Sequence, residues 1–446
     1  MTMKHYFFII LTLLFSLFTE AQQTSFKFDF GSGKVEKGYT QVMPETKYTS
    51  QTGYGFDFDS KIKSVENDSS ALKGDYITGK GPFYFSVKLP EGNYDVKVVL
   101  GDTKGTSATS VRAECRRLML PQVTTKQGET VERTFTVHVR DSLIRDGKGN
   151  VIDKVHVKPR EKNYLHWDNV LTLEFNDSLP KICAIEITPN KSAATIFLAG
   201  DSTVVDQPED PYASWGQMFP AFLIPSKVAV ANYAESGETL KAFENENRFE
   251  KIWSMAKPGD YLFIEFTHND QKPGPNHLDA FTTFKETLKN WIAEARKRDM
   301  IPVLVTSTQR RNFDEQGHIV NTLLDYPEGM RQAAKEENVA LIDLSAMSKT
   351  LYETLGKEQS VKAFVHYPAN TYPNQTKTLE DNTHFNPYGA YELASCVVSS
   401  IREQKLPLAK YIRKNVKEYN PARPNPVATF YWPQSGFVSA VKPDGN

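Results

Sequence analysis

The chain has 446 residues, with 53 Lys and Arg against 54 Asp and Glu and a formal net charge of -1. That length exceeds one ordinary domain and suits two or three, each able to bury its own core. So even a charge balance, with no basic tract, argues against a nucleic-acid or anionic-membrane partner.

The N-terminus reads as a secretory signal over residues 1–21. Lys4 and His5 precede an apolar run from Tyr6 to Phe18, and Thr19-Glu20-Ala21 puts a small residue before Gln22. The run is short for a membrane span, so cleavage and export to the periplasm or medium are expected; a retained anchor is the alternative. No later segment is apolar enough to span a bilayer, so no membrane contact is expected after cleavage. The three cysteines, Cys115, Cys183 and Cys396, form no Cys-x-x-Cys zinc pattern. Cys115 and Cys183 could pair; buried free thiols are the other reading.

Residues 22–190 carry the period-two rhythm of strands. Phe83, Phe85, Val87 and Leu89 alternate with polar or half-polar neighbours, as do Tyr94, Val96, Val98 and Leu100. Phe135, Val137 and Val139 repeat the pattern, and so do Leu171, Leu173 and Phe175. With no helical period among them, this region predicts an antiparallel all-β sandwich or jelly roll.

After the linker Thr188-Pro-Asn-Lys-Ser-Ala-Ala the rhythm becomes strand then helix, over residues 193–410. Strands are predicted at Thr195–Ala199, Val228–Tyr233, Tyr261–Phe266, Ile301–Ser307 and Ala340–Asp343. Phe281, Phe284, Leu288, Ile292 and Ala295 mark one face of a helix between the third and fourth. Such alternation predicts an α/β domain with a doubly wound parallel sheet, whose ligands bind beyond the C-terminal strand ends. Asn386 and Pro387 predict a helix start, which places His384 on the preceding loop. Residues 411–446 end in the aromatic cluster Phe430 to Phe437, which predicts packing back on the body.

Chemistry concentrates just past the predicted strands. Ser202, in Gly200-Asp-Ser-Thr-Val, is the candidate nucleophile; His384 is the candidate base and Asp381, three residues earlier, its orienting acid. The Ser202 and Gly237 backbone N–H groups and the Asn269 side chain are the candidate oxyanion donors. Each has a plainer reading: Ser202 or Asn269 as a cap, Gly237 as a turn, His384 and Asp381 as loop residues. Val204 replaces the second Gly of Gly-x-Ser-x-Gly, so the strained elbow of the α/β-hydrolases is absent. Asp201, His268 and Asp270 are read as structural neighbours. Arg310 and Arg311 could pair with substrate carboxylates, or serve as loop charges near Asp314 and Glu315.

Four blocks carry a resemblance: Gly200-Asp-Ser-Thr-Val, Asn232-Tyr-Ala-Glu-Ser-Gly, Glu265-Phe-Thr-His-Asn-Asp and Asp381-Asn-Thr-His. In order they resemble the SGNH (GDSL-like) hydrolases, rhamnogalacturonan acetylesterases among them; Trp215-Gly-Gln-Met and Thr308-Gln-Arg-Arg-Asn-Phe-Asp look like accompanying segments. The Phe28-Asp-Phe-Gly-Ser-Gly stretch, with its later Gly-aromatic turns, resembles galactose-binding-like β domains. The resemblance implies a flavodoxin-like three-layer fold, no metal or cofactor, and deacetylation of an acetylated acidic plant polysaccharide. Another ester (acetyl-xylan, a sialic-acid acetyl or a methyl ester) and a carbohydrate-binding protein with a decayed hydrolase domain remain as alternatives. One departure stands out: Thr267 occupies the place where the family usually has Gly, and a positive φ there would strain it. The β domain, distant in sequence from every candidate residue, is expected to stay out of the chemical step.

Overall fold

The computed structural model describes residues 23–444; the expected signal segment 1–21 lies outside the described residues. The N-terminal region is a sandwich of two sheets. One runs Thr130–Val139, Gly92–Gly101, Lys181–Pro189, Phe26–Phe30 and Thr40–Val42, with Asp75–Gly79 joined to Lys181–Pro189 and Ile62–Glu66 joined to Asp75–Gly79. The other runs Tyr54–Asp57, Phe83–Lys88, Val170–Leu179, Ser107–Ala113 and Arg117–Thr125. Pairing is antiparallel except between Phe26–Phe30 and Thr40–Val42, a parallel pair the alternation alone could not reveal. The alternating residues meet in one core, where Phe85, Val96, Phe135 and Leu173 are buried together.

Ser86, Glu174 and Arg112, on the opposite face of the second sheet, are also buried. The C-terminal segment covers Arg112 and Glu174 there. Trp432 lies 3.7 Å from the Arg112 guanidinium and Phe437 packs edge-on against Tyr84 and Phe58. Ser435 donates to Glu174 at 2.9 Å and the Gly436 N–H donates to the Tyr84 hydroxyl at 2.9 Å.

The second region is a five-stranded parallel sheet in the order Val228–Asn232, Ala194–Gly200, Tyr261–Glu265, Ile301–Val305, Ala340–Ile342. This is the doubly wound order, with helices on both faces, and each strand falls where the apolar runs predicted it. The helix after the third strand spans Thr283–Arg296 and buries Phe284, Leu288, Trp291, Ile292 and Ala295. Phe281 differs from the expectation: it precedes the helix and is exposed, and Trp291 completes the face instead. His384 also differs. It sits not on a loop but on a strand, Leu379–Phe385, paired with Phe364–Tyr367. The helix Pro387–Glu403 follows at once, capped by the Asn386 side chain, which accepts from the Gly389 N–H at 3.1 Å. Cys115, Cys183 and Cys396 are all free and buried, so the pairing of Cys115 with Cys183 is not formed.

Trp432→Ala would uncover the Arg112–Glu174 pair and remove a half-buried indole. Urea unfolding is expected to show a loss of about 2–3 kcal/mol, below the range for fully buried aromatics.

Candidate active site

Ser202, Gly237 and Asn269 lie just beyond three neighbouring strands of the parallel sheet, on turns at its C-terminal edge. The edge brings them near His384, which arrives from the separate two-stranded hairpin. Ser202 Oγ is 2.9 Å from His384 Nε2, and His384 Nδ1 is 2.7 Å from Asp381 Oδ2. The other Asp381 oxygen accepts from the Thr383 and His384 N–H groups at 2.8 and 3.0 Å, so the carboxylate is fixed by its own strand. Burial works to raise the Asp381 pKa, but the His384 hydrogen bond and charge and the two N–H groups outweigh it and hold it at about 2. It is therefore anionic at neutral pH, and favours the His384 tautomer that leaves Nε2 free to take a proton. Tyr212 packs edge-on against the imidazole.

Gly237 has φ +78°, a conformation that favours glycine. The N–H groups of Ser202 and Gly237 donate to no acceptor among the described residues. The Asn269 amide donates one N–H to the Glu238 carbonyl at 2.9 Å, while its oxygen accepts from Lys272 at 2.9 Å. That orientation leaves its second N–H for a ligand. Two backbone donors and one side-chain donor, on turns past the same sheet edge as the serine hydroxyl, are groups of the kind that bind a tetrahedral oxyanion.

Residues 198–390, which include Ser202, Asp381 and His384, match the GDSL-like Lipase/Acylhydrolase family. Residues 26–150 match the family described as beta-agarase/YXIM esterase-like, galactose-binding domain-like. The chain is 44% identical over 224 residues to "Rhamnogalacturonan acetylesterase RhgT" of Bacillus subtilis, covering 50% of this chain and 95% of that protein. It is 28% identical over 393 residues to "Uncharacterized esterase YxiM" of the same organism, covering 86% of this chain and 92% of that one. The crystal structure of the YxiM protein covers 86% of this chain and 99% of its own, with 26% identity and a TM-score of 0.45. The chain belongs to the GDSL-like lipase/acylhydrolase family. It is a carboxylic ester hydrolase with a galactose-binding-like domain ahead of its GDSL domain.

Glu265, which carried no assigned role in the sequence, and the structural neighbours Asp201, His268 and Asp270 shape the surroundings of the site. Glu265, at the end of the third strand, accepts from the Trp215 indole at 2.7 Å and the Thr203 hydroxyl at 2.9 Å. Burial, with the Asp201 charge, pushes its carboxyl well above the ordinary range. Asp201 in turn accepts from Thr203, and His268 bridges Asp201 Oδ2 at 3.3 Å to the Thr308 carbonyl at 3.0 Å. Asp270 accepts from the Leu240 N–H at 2.7 Å. A signal for Glu265 existed in the third block, but the indole that reaches it comes from far along the chain.

The β domain reaches the same loops with buried arginines. Arg117 pairs with Asp206 at 2.8 Å, and Arg116 donates to the Gln207 and Tyr212 carbonyls at 3.0 and 3.1 Å. Gln207 itself donates to the Ser202 carbonyl at 2.9 Å. Arg140 donates to the Asn232 carbonyl, and Arg160 to Glu235 and to the Ser236 carbonyl. The β domain, though distant in sequence from the candidate residues, is thus docked against the loops that carry them; these contacts are to supporting carbonyls and carboxylates and leave the expectation about the chemical step untouched.

Arg310 and Arg311 stand on the loop after the fourth strand, with guanidiniums turned into the protein. Arg310 donates to the carbonyl and hydroxyl of Thr322 at 3.1 and 3.2 Å. Arg311 donates to Ser360 at 2.9 Å, to Asn382 at 3.1 Å and to the Lys357 carbonyl. Neither shows the ion pair with Asp314 or Glu315 considered from sequence; Arg311 braces the strand that carries Asp381. Glu161, His166 and Glu235 are the one group among the described residues whose ligand atoms could converge on a metal, lying within 4.8 Å of one another. Arg248 already pairs with Glu161 at 2.6 Å and Arg160 with Glu235 at 2.8 Å, so those carboxylates are charge-balanced.

Thr267 lies outside the left-handed region, so the strain expected from its replacement of Gly is not present. Its side chain is buried and its hydroxyl donates to the Phe266 carbonyl. Thr267→Gly is accordingly expected to lower stability by about 1 kcal/mol or more, with no gain in turnover. Thermal melts and ester turnover measured together check this.

Proposed function

We propose that this chain is an exported carbohydrate esterase that removes O-acetyl groups from a pectic, rhamnogalacturonan-like polysaccharide. The observation that carries the reading is the connected Ser202–His384–Asp381 relay, with distances of 2.9 and 2.7 Å, in a chain 44% identical to a protein named rhamnogalacturonan acetylesterase. Export rests on the N-terminal residues 1–21; among the described residues no helix is long and apolar enough to cross a membrane.

In this mechanism Ser202 Oγ attacks the acetyl carbonyl as His384 Nε2 takes its proton. Asp381 stabilises the imidazolium that forms. The developing oxyanion accepts from the Ser202 and Gly237 N–H groups and the Asn269 amide. Collapse expels the sugar alkoxide, which takes the proton back from His384. Water, deprotonated by the same imidazole, then releases acetate from Ser202. The first proton transfer, from Ser202 to His384, runs between groups already in hydrogen-bond reach at 2.9 Å.

Ser202→Ala and His384→Ala are each expected to reduce p-nitrophenyl acetate turnover by about 10³-fold or more while the fold persists. The double variant should be little worse than either single one, because the pair acts as a unit. Full activity in Ser202→Ala would mean another nucleophile. Turnover should also survive EDTA, since no step needs a Lewis acid. Loss on chelation, restored by a divalent ion, would replace this mechanism. Acetate release from a panel of acetylated polysaccharides tests the substrate. Rhamnogalacturonan should lead xylan by at least about tenfold, a difference of some 1.4 kcal/mol in transition-state binding; the reverse order would move the assignment to a xylan esterase.

A further inference from the structure

We infer that Arg160, supplied by the β domain, is a positioning residue for the oxyanion site, acting through the Ser236–Gly237 peptide. The inference rests on the proposed role of the Gly237 N–H and explains what holds that group in place.

The Ser236 carbonyl and the Gly237 N–H belong to one planar peptide unit. Arg160 Nη2 donates to that carbonyl at 2.6 Å, a short charge-assisted bond. The same guanidinium grips the preceding residue, with Nε and Nη2 at 3.1 and 2.8 Å from Glu235 Oε1. Fixing the oxygen end of a rigid plane fixes the direction of its N–H. A cation on the oxygen also draws electron density from the amide, which makes the N–H a better donor to a developing anion.

This peptide has particular need of an anchor. Gly237 has φ +78°, and glycine tolerates many neighbouring conformations, so its own backbone preferences do not select the orientation. The anchor itself is rigid. Arg160 lies in the short helical turn Pro159–Asn163, where the Glu161 carboxylate accepts from the Lys158 N–H at 2.7 Å and from Arg248 at 2.6 Å. The loop also governs a second donor, because the Glu238 carbonyl accepts from the Asn269 amide at 2.9 Å. A shift of residues 235–238 would therefore move two of the three proposed donors together. Asp444 pairs with the remaining Arg160 nitrogen and adds the C-terminal segment to the same support.

The plainer role for Arg160 is to neutralise buried Glu235, and the experiment separates the two in the full-length protein. Arg160→Met is expected to lower kcat on p-nitrophenyl acetate about 10–100-fold, short of the 10²–10³-fold typical when an oxyanion donor is removed outright. KM should stay within about twofold. Arg160→Lys, which keeps a charged donor, should recover most of the loss. Arg160→Met combined with Gly237→Ala should be no more than about twofold worse than Gly237→Ala alone, since both act on one peptide. If Arg160→Met fails to fold because Glu235 is left unpaired, Arg160→Met with Glu235→Gln removes both charges and should show the same kcat loss. Glu235→Gln alone, which keeps the bond to the Ser236 carbonyl, should retain at least about a third of wild-type kcat. Wild-type kcat in Arg160→Met or in the charge-free double variant overturns the inference, as does a multiplicative loss with Gly237→Ala. A rate for Gly237→Ala equal to wild type would instead sink the donor role of Gly237, and turnover by Ser202→Ala the reading of the whole site. The three failures are distinct.

Discussion

Buried guanidiniums hold this molecule to one arrangement. Arg112, Arg116, Arg117 and Arg140, all from the β sandwich, are buried, and each sends at least one donor to a carbonyl or carboxylate of another segment. A charge taken out of water is tolerated only with partners in good geometry, and breaking such a pair typically costs about 3–5 kcal/mol. Few loop conformations offer an acceptor to each of these guanidiniums at once. For Arg116, Arg117 and Arg140 those acceptors lie on the segments after Ser202 and at Asn232, so the cost of burying charge in the seam is coupled to the shape of the candidate site.

That coupling suits a serine turn without the Gly-x-Ser-x-Gly elbow. The turn after the first parallel strand is stabilised from its flanks, by Gln207 on the Ser202 carbonyl and Arg116 on the Gln207 carbonyl. Asn232 adds another tie, donating to the Val204 carbonyl at 2.7 Å and to Asp206 at 2.8 Å. Asp206 then meets Arg117. A continuous set of hydrogen bonds thus runs from the β domain through the serine turn to the second strand. Rigid supports of this kind keep reacting groups near their productive geometry, where misplacement of about 1 Å is costly.

The C-terminal segment belongs to the same structure. Asp210, two residues before Tyr212 and its contact with His384, accepts from the Trp432 indole at 3.1 Å and the Ser435 N–H at 2.7 Å. Arg116 meets the same carboxylate from the β domain. Lys442 stands 3.7 Å from Asp381 and Asp444 pairs with Arg160, so the tail touches both sides of the site. Its aromatics cover the outer face of a sheet whose polar residues would otherwise meet water. The sequence signalled an ordered tail through its aromatic content and suggested the seam beside the β domain; the partners there, Arg112, Arg116 and Asp210 around Trp432, came from tertiary packing.

By itself the sequence determined both architectures, because periods of two and of strand-then-helix are set by which residues each element must bury. It also marked Ser202, Gly237 and Asn269, since residues after parallel strands share one edge of the sheet, and it marked Asp381 and His384 through local spacing. Their convergence to 2.9 and 2.7 Å was a tertiary outcome, as was the strand that carries His384. Thr267 shows the limit of reasoning by resemblance: a residue type signals strain only if the backbone there takes a positive φ, and this loop does not. The arginines through which the β domain reaches the site loops were likewise not legible. An arginine in a strand reads as a solvated face until another domain covers it, and only long-range packing brought Arg160 against a peptide some 75 residues away. Local patterns reflect local burial; contacts between distant segments depend on how two whole domains dock, which no single stretch of chain encodes.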